Sequence, residues 1–478
     1  MLFEYFILGF YFLISLPYIL KLKTVMFLNF NWLIMIVVGL GLHYFLFYLL
    51  LKIKKCGKAI LTTFFLASYG IYLSSLFLFN YKMDRSIIAS ALENEIEMIF
   101  YFITLKSVLL TLLVAGIFYF IISKIKFSSK KYYFYISSAI VFLIVSYSAI
   151  TKNRVYLMSY PIIDCFDLLK IGKTLKGLDE GNTMKYLNNE KELKTLFKYN
   201  NGDVNVVLII GESVRNDYFI KYTTNIEKHN IVRFKKSHSN YFYTRDCVPE
   251  LLTLKKDGIN YSIVDIMNSL GFNTHWIGAQ SIKGATDSPY AHFALKSKNR
   301  IYKDSNRNIK YDFELLDYLD NFLYNSGKNF YIIHQYGSHT PFYKRFEKEY
   351  VKYENYCKTK DVVQCTTEQV ENAYINSIVY TDLFLNKLID KFSNKKTLLL
   401  FTSDHSLDMV YINESEDRKT IPAFIWFNDI KNNQNILINN INKNTFHHKK
   451  VVDSVLGCLG VESVIINEEN NICNIKYK

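Results

Sequence analysis

The chain has 478 residues, half of them hydrophobic, 16% aromatic, with a formal net charge of +14. It is long enough for more than one domain. It carries no aromatic-and-basic RNA-binding motif and no zinc-finger spacing, and the large domain is expected outside the cell membrane, so the charge is not read as a nucleic-acid surface.

The apolarity is uneven. Residues 2–20, 30–51, 59–80, 99–123 and 132–150 form five runs, each near the roughly 20 residues that cross a bilayer. A cleaved signal peptide has one short apolar core and then stops, so residues 1–150 are expected to be a five-helix transmembrane domain. Loop 52–58 carries Lys52, Lys54, Lys55 and Lys58, and loop 124–131 carries Lys124, Lys126, Lys130 and Lys131. The intervening loops hold only Lys21 and Lys23, then Lys82 and Arg85. Positive-inside bias places the two lysine-rich loops and the N-terminus in the cytoplasm, and everything after about residue 150 outside. Many of the excess lysines then lie beside lipid headgroups, where they attract anionic lipid.

Residues 151–202 are polar and lysine-rich, with amphipathic stretches near 162–176 and 184–199. They read as a connector lying on the membrane surface or on the following domain. From there the pattern is that of an α/β domain, 203–478. "VNVVLII" (204–210), "NFYIIHQ" (329–335), "TLLLFTS" (397–403) and "AFIWF" (423–427) are short apolar runs bounded by turn residues. Such runs suit a parallel sheet covered on both faces. The clearest helix starts at Thr366, where Thr366 and Gln369 make a capping box. Val370, Tyr374, Ile378, Leu385, Leu388 and Ile389 then recur at helical spacing.

Three of the expected strands end in polar clusters: Gly211-Glu212-Ser213, Tyr336-Gly337-Ser338-His339, and Asp404-His405. Ligands bind beyond the carboxyl ends of strands in open α/β sheets, so the three clusters are expected to converge. Carboxylates plus imidazole suit zinc, with manganese as the alternative. A hydroxyl bound to zinc ionises more readily and could attack phosphorus or sulfur. Of the seven cysteines, Cys357 and Cys365 flank a short polar loop on the expected oxidising side. A disulfide and two free thiols are both open there.

The chain resembles the phosphoethanolamine transferases of bacterial membranes, including the mobile colistin-resistance enzymes. The resemblance runs nearly end to end and includes the five spans, the connector, "IIGESVRNDYF", "TRDCVPELL", "HQYGSHTPFY", the Cys357–Cys365 spacing, "FTSDH" and "FHHKKVVDSVLGCLGV". It implies an alkaline-phosphatase or sulfatase fold in the bacterial inner membrane, with a periplasmic catalytic domain. It implies Zn2+ ligation by Glu212, Asp404 and His405, with Thr244 as a further ligand and the nucleophile. Lys283 and His339 resemble the family's substrate-phosphate contacts. The implied donor is phosphatidylethanolamine, and the implied acceptor is lipid A, lipopolysaccharide core or another envelope glycan.

The chain also departs from the family. After "SDH" the family continues Gly-Glu-Ser with a histidine further on. Here no histidine occurs between His405 and His447, and Cys247 stands alone beside the nucleophile. A phosphoglycerol transferase or a sulfatase-like hydrolase on the same fold is the near alternative. Cys247-Val248-Pro249-Glu250-Leu251 lacks the arginine that a modifiable sulfatase cysteine needs. A degenerate, non-catalytic membrane protein is the distant alternative.

Overall fold

The computed structural model of the protein describes residues 185–478 except 242, 283–288, 305, 324–326, 360–363, 408–419, 429–444 and 474–478, together with Leu109 and Leu112. Apart from Leu109 and Leu112, the five expected spans and their loops lie outside the described residues, as do the stretch 162–176 and Lys283. Among the described residues no helix is long and apolar enough to cross a membrane.

The described elements begin with α1 (Glu190–Leu196), β1 (Asn205–Gly211), α2 (Asn216–Tyr222), β2 (Val232–Arg233) and β3 (Ser237–His238). Then come α3 (Thr244–Leu251), β4 (Thr253–Lys256), β5 (Ile259–Ser262), α4 (Ile263–Ser269), β6 (Asn273–Gly278), α5 (Ala291–Lys296) and β7 (Asn299–Tyr302). The order closes with α6 (Glu314–Leu323), β8 (Asn329–His334), α7 (Thr367–Phe392), β9 (Thr397–Ser403), β10 (Ala423–Asn428), β11 (Phe446–His447) and α8 (Val451–Leu459).

A seven-stranded sheet runs in the order β2-β10-β9-β1-β8-β6-β7. The strands β9, β1, β8, β6 and β7 are parallel neighbours. The four apolar runs form β1, β8, β9 and β10. One expectation fails: β10 pairs antiparallel with β9, Ala423 opposite Thr402. An unbroken apolar run reports burial on both faces, and β10 is buried at Ala423–Trp426. It carries no information on strand direction, so the sheet is mixed rather than all parallel.

Both faces are covered, as the apolar strands require. Val206, Leu208 and Ile210 share a core cluster with Ile263, Ile266 and Met267 of α4 and with Val451, Val452, Val455 and Leu456 of α8. On the alternate face Phe401 stacks on Phe219 of α2, and Tyr331 meets Phe392 of α7 edge-on. Thr366 caps α7 with its side chain, and Gln369 returns the bond to the Thr366 N–H, completing the expected capping box. All six residues read at helical spacing along α7 are buried.

Among the described residues of the stretch 184–199 only Glu190–Leu196 is helical, with Asn189 as its cap. Tyr186 instead bridges to Asn260 in strand fashion. Leu193 and Phe197 enter the same core as the sheet, so this stretch packs on the α/β unit.

Among the described residues two disulfides are present, Cys357–Cys365 and Cys458–Cys473. The first resolves the choice left open by sequence. The second joins the C-terminal end of α8 to the segment after it.

Candidate active site

β1 lies between β9 and β8, all three parallel, with Gly211 level with Ser403 and Ile210 level with His334. Each strand therefore stops at the same edge, and the next residues meet there. Glu212 follows β1, Asp404 and His405 follow β9, and the turn bearing His339 follows β8. The three clusters converge as expected.

Glu212 and Asp404 are fully buried. Among the described residues, Glu212, Asp404 and His405 are the group whose ligating atoms all lie within 4.8 Å of one another. Thr244, the first residue of α3, donates its hydroxyl to Glu212 Oε2 at 2.9 Å, with His405 Nε2 3.4 Å away. The His405 ring is 3.4 Å from both Glu212 Oε1 and Asp404 Oδ2. Thus all four expected ligands meet. His339 lies close enough for the charges of Glu212 and His405 to act on it. Lys283 falls outside the described residues.

Burial opposes ionisation of Glu212, yet the hydrogen bond and charge of His405 hold its carboxyl well below the usual range. Burial and the neighbouring Glu212 charge push Asp404 up to about 7. His405 is raised to about 9 against its burial, because Asp404 and Glu212 surround it. Two buried carboxylates thus attract a proton to the imidazole, as a site with too little positive charge must. The donor set fits a zinc ion: two carboxylates, one imidazole and one hydroxyl can make a four-coordinate centre. Asp404 Oδ2 is buried and finds no hydrogen-bond donor, which a bound cation would remedy.

Supporting residues escaped the sequence reading. Ser213 holds a left-handed backbone, φ 58. That conformation costs a non-glycine residue about 1–2 kcal/mol. It lets Ser213 donate its N–H to Asp404 Oδ1 at 3.0 Å and its hydroxyl to Glu212 Oε1 at 2.6 Å. Gln280, just beyond β6, donates from Nε2 to Glu212 Oε2 and to Gln335 O. The run "THWIGAQS" is a fourth strand ending in polar residues at the same edge, a signal present in the sequence.

Gly337 is required where it stands. Its φ is +48, and a Cβ would lie 2.8 Å from Glu212 O and 2.9 Å from Glu212 N. Cys247 is wholly buried in α3, and burial pushes its thiol well above the ordinary range. Of Thr244 and Cys247, both in α3, it is Thr244 that reaches the ligand group.

The chain matches the family described as Sulfatase over residues 204–461, more than half its length. It is similar to the phosphoethanolamine transferase EptA of Escherichia coli strain K12, 26% identical over 300 residues, covering 54% of this chain and 53% of that protein. The matched region thus spans about half the length of that curated relative. In fold it is similar to the integral membrane protein lipooligosaccharide phosphoethanolamine transferase A (EptA) from Neisseria meningitidis. That likeness has a TM-score of 0.72 at 20% identity and covers 96% of this chain and 95% of the other. It also resembles the C-terminal periplasmic domain of EcEptC from Escherichia coli in complex with Zn. There the TM-score is 0.51 at 19% identity, covering 62% of this chain and 91% of the other. Fold, strand-end cluster and matched span agree: the chain belongs to the sulfatase family.

Proposed function

We propose that the protein transfers phosphoethanolamine from phosphatidylethanolamine to an envelope acceptor, lipid A or the lipopolysaccharide core, through a covalent intermediate on Thr244. The carrying observation is the Thr244 hydroxyl seated between Glu212 Oε2 and His405 Nε2 at the carboxyl edge of the sheet. The names of its relatives point the same way, since they are phosphoethanolamine transferases.

Glu212, Thr244, Asp404 and His405 would hold one Zn2+, which supplies positive charge that eases ionisation of the nearby hydroxyl. Thr244 Oγ1 attacks phosphorus, and the bond from phosphorus to the diacylglycerol oxygen breaks. The hydroxyl proton has Glu212 Oε2, 2.9 Å away, as its first acceptor. An acceptor oxygen then attacks the same phosphorus and Thr244 is regenerated. Lys283 and His339 contact the phosphate in this reading. Residues 1–150 form five spans with the N-terminus cytoplasmic, 151–202 connect, and 203–478 act in the periplasm beside the bacterial inner membrane. Donor, leaving lipid and acceptor are then all membrane-bound, and anchoring raises their effective concentration.

Incubation with a labelled phosphatidylethanolamine analogue should add phosphoethanolamine mass to the peptide containing Thr244. Thr244→Ala should show neither the adduct nor transfer, and Thr244→Ser should keep part of both. Wild-type turnover by Thr244→Ala would refute the mechanism.

A further inference from the structure

The turn after β8 carries His339 and is gripped from two sides. On one side stands Asp312, only 1% exposed. Tyr336 donates its N–H to Asp312 Oδ1 at 2.7 Å, and Gly337 donates to Oδ2 at 3.0 Å. Gln335 Nε2 adds a third bond to Oδ2 at 3.3 Å. On the other side stands Arg345. Its Nε donates to His339 O at 2.7 Å, and its Nη2 to Thr340 O at 3.2 Å. Its guanidinium also lies over the Tyr336 ring, 4.2 Å from the centroid.

The same turn touches the ligand group. Ser338 donates its N–H to Glu212 O at 2.9 Å. His339 Nδ1 lies 2.6 Å from Thr340 O, so Nδ1 carries the proton. That carbonyl is one that Arg345 holds. The imidazole is thereby fixed in one tautomer, with Nε2 left for chemistry. A tight turn needs no buried carboxylate to form. Sinking Asp312 wholly out of water is costly unless several donors meet it. The three donors here come from the residues that lead into His339.

We propose that Asp312 and Arg345 are positioning residues that hold the His339 imidazole in one tautomer and one place, and so set how the enzyme engages the donor phosphate. This rests on the phosphotransfer reading above. Arg345→Lys keeps the charge but loses the two-pronged grip and the ring contact. Asp312→Asn keeps the shape but sets an amide NH2 against a backbone N–H.

The test uses the full chain in detergent with bound zinc. Each single variant should lose roughly 10–100-fold in kcat/KM for a labelled phosphatidylethanolamine analogue, the range seen for supporting residues around a site. Zinc content should stay at the wild-type level. In a His339→Gln background, Arg345→Lys should cost no more than about twofold further, because the imidazole that Arg345 positions is already gone. Losses that multiply, or single variants at wild-type rate, would overturn the proposal. Nitrogen NMR of histidine-labelled chain gives a second reading that needs no turnover. Wild type should show His339 as the Nδ1–H tautomer, and Arg345→Lys a mixture. An unchanged His339 signal in Arg345→Lys overturns the positioning role. Absence of transfer by wild type would refute the phosphotransfer reading, while the NMR comparison still decides the positioning claim.

Discussion

At Glu212 two carboxylate oxygens do different work. Oε1 takes the Ser213 hydroxyl, and Oε2 takes both Thr244 and Gln280. Removing a direct ligand should therefore differ in kind from removing a supporting one. We expect about one zinc per chain in the wild type, and loss of nearly all of it in His405→Ala, since one of four donors is gone. Gln280→Ala leaves every donor in place and should weaken zinc affinity by about 10–100-fold. Elemental analysis after dialysis against a graded chelator reads both. Equal zinc in wild type and His405→Ala would remove the site assignment. Glu212, Asp404 and His405 were legible in the sequence as expected ligands because they follow apolar runs, and position at a strand end is a pattern visible without coordinates. Thr244, at the start of α3, was named only through the family resemblance. Gln280 was passed over although it too follows a strand end, whereas Asp312 and Arg345 were not legible. Asp312 sits 24 residues before the Tyr336 N–H it accepts, and nothing local marks such a pairing.

At the level of elements, β1, β8, β9 and α7 were legible because their signals are local: a continuous apolar run, or a capping box followed by helical spacing. β6 was passed over as a strand because "NTHWIG" mixes polar and apolar residues, although Thr274–Gly278 are buried in the sheet. Direction was not legible for β10, since pairing with β9 is decided by where the chain returns. The disulfides test a different property of the elements. Cys357 pairs with Cys365 just before α7, and Cys357 N also donates to Gln369 O in its first turn. The bridge closes a loop of separation 8 at the start of the longest described helix. Chain-entropy reasoning gives such a loop about 2–3 kcal/mol. Replacing both cysteines by Ser should lower the unfolding midpoint correspondingly while zinc stays bound. Peptide mapping without reduction should recover Cys357–Cys365 and Cys458–Cys473 as linked pairs. Freely alkylated Cys357 and Cys365 in native protein would count against the oxidising-side placement of this domain.

For the molecule as a whole, the burial that builds the site also sets how stability depends on pH. His275, His334 and His448 are wholly buried, and burial pushes each down to about 4 from an ordinary 6.5. Between those values the unfolded chain holds more protons than the folded one. Their contribution is therefore complete above about pH 6.5 and is lost as the pH falls through 4. A shift of this size is worth about 3 kcal/mol per histidine. Asp312 acts in the opposite sense. Burial pushes its carboxyl up to about 6 from 3.8, so the folded chain takes its proton first and gains stability as the pH falls through 6. Apart from Asp404 and His405, which bound zinc would hold deprotonated, these are the groups shifted furthest in this pH range. Three against one leave acid as the destabilising direction, with a sum that is large beside a typical total of about 5–15 kcal/mol. The guanidinium midpoint of the zinc-loaded chain, followed by fluorescence of the buried Trp276 and Trp426, should fall steadily from pH 7 to pH 4.5. His275 is the histidine to change, because it lies among aromatic rings, 4.6 Å from Tyr331 and 4.8 Å from Phe322 by ring centroids. His275→Phe keeps a ring of similar shape with nothing to protonate, so its midpoint should fall less steeply over that range. A midpoint that is flat or rises on acidification in the wild type would show that these histidines are not held neutral in the folded protein.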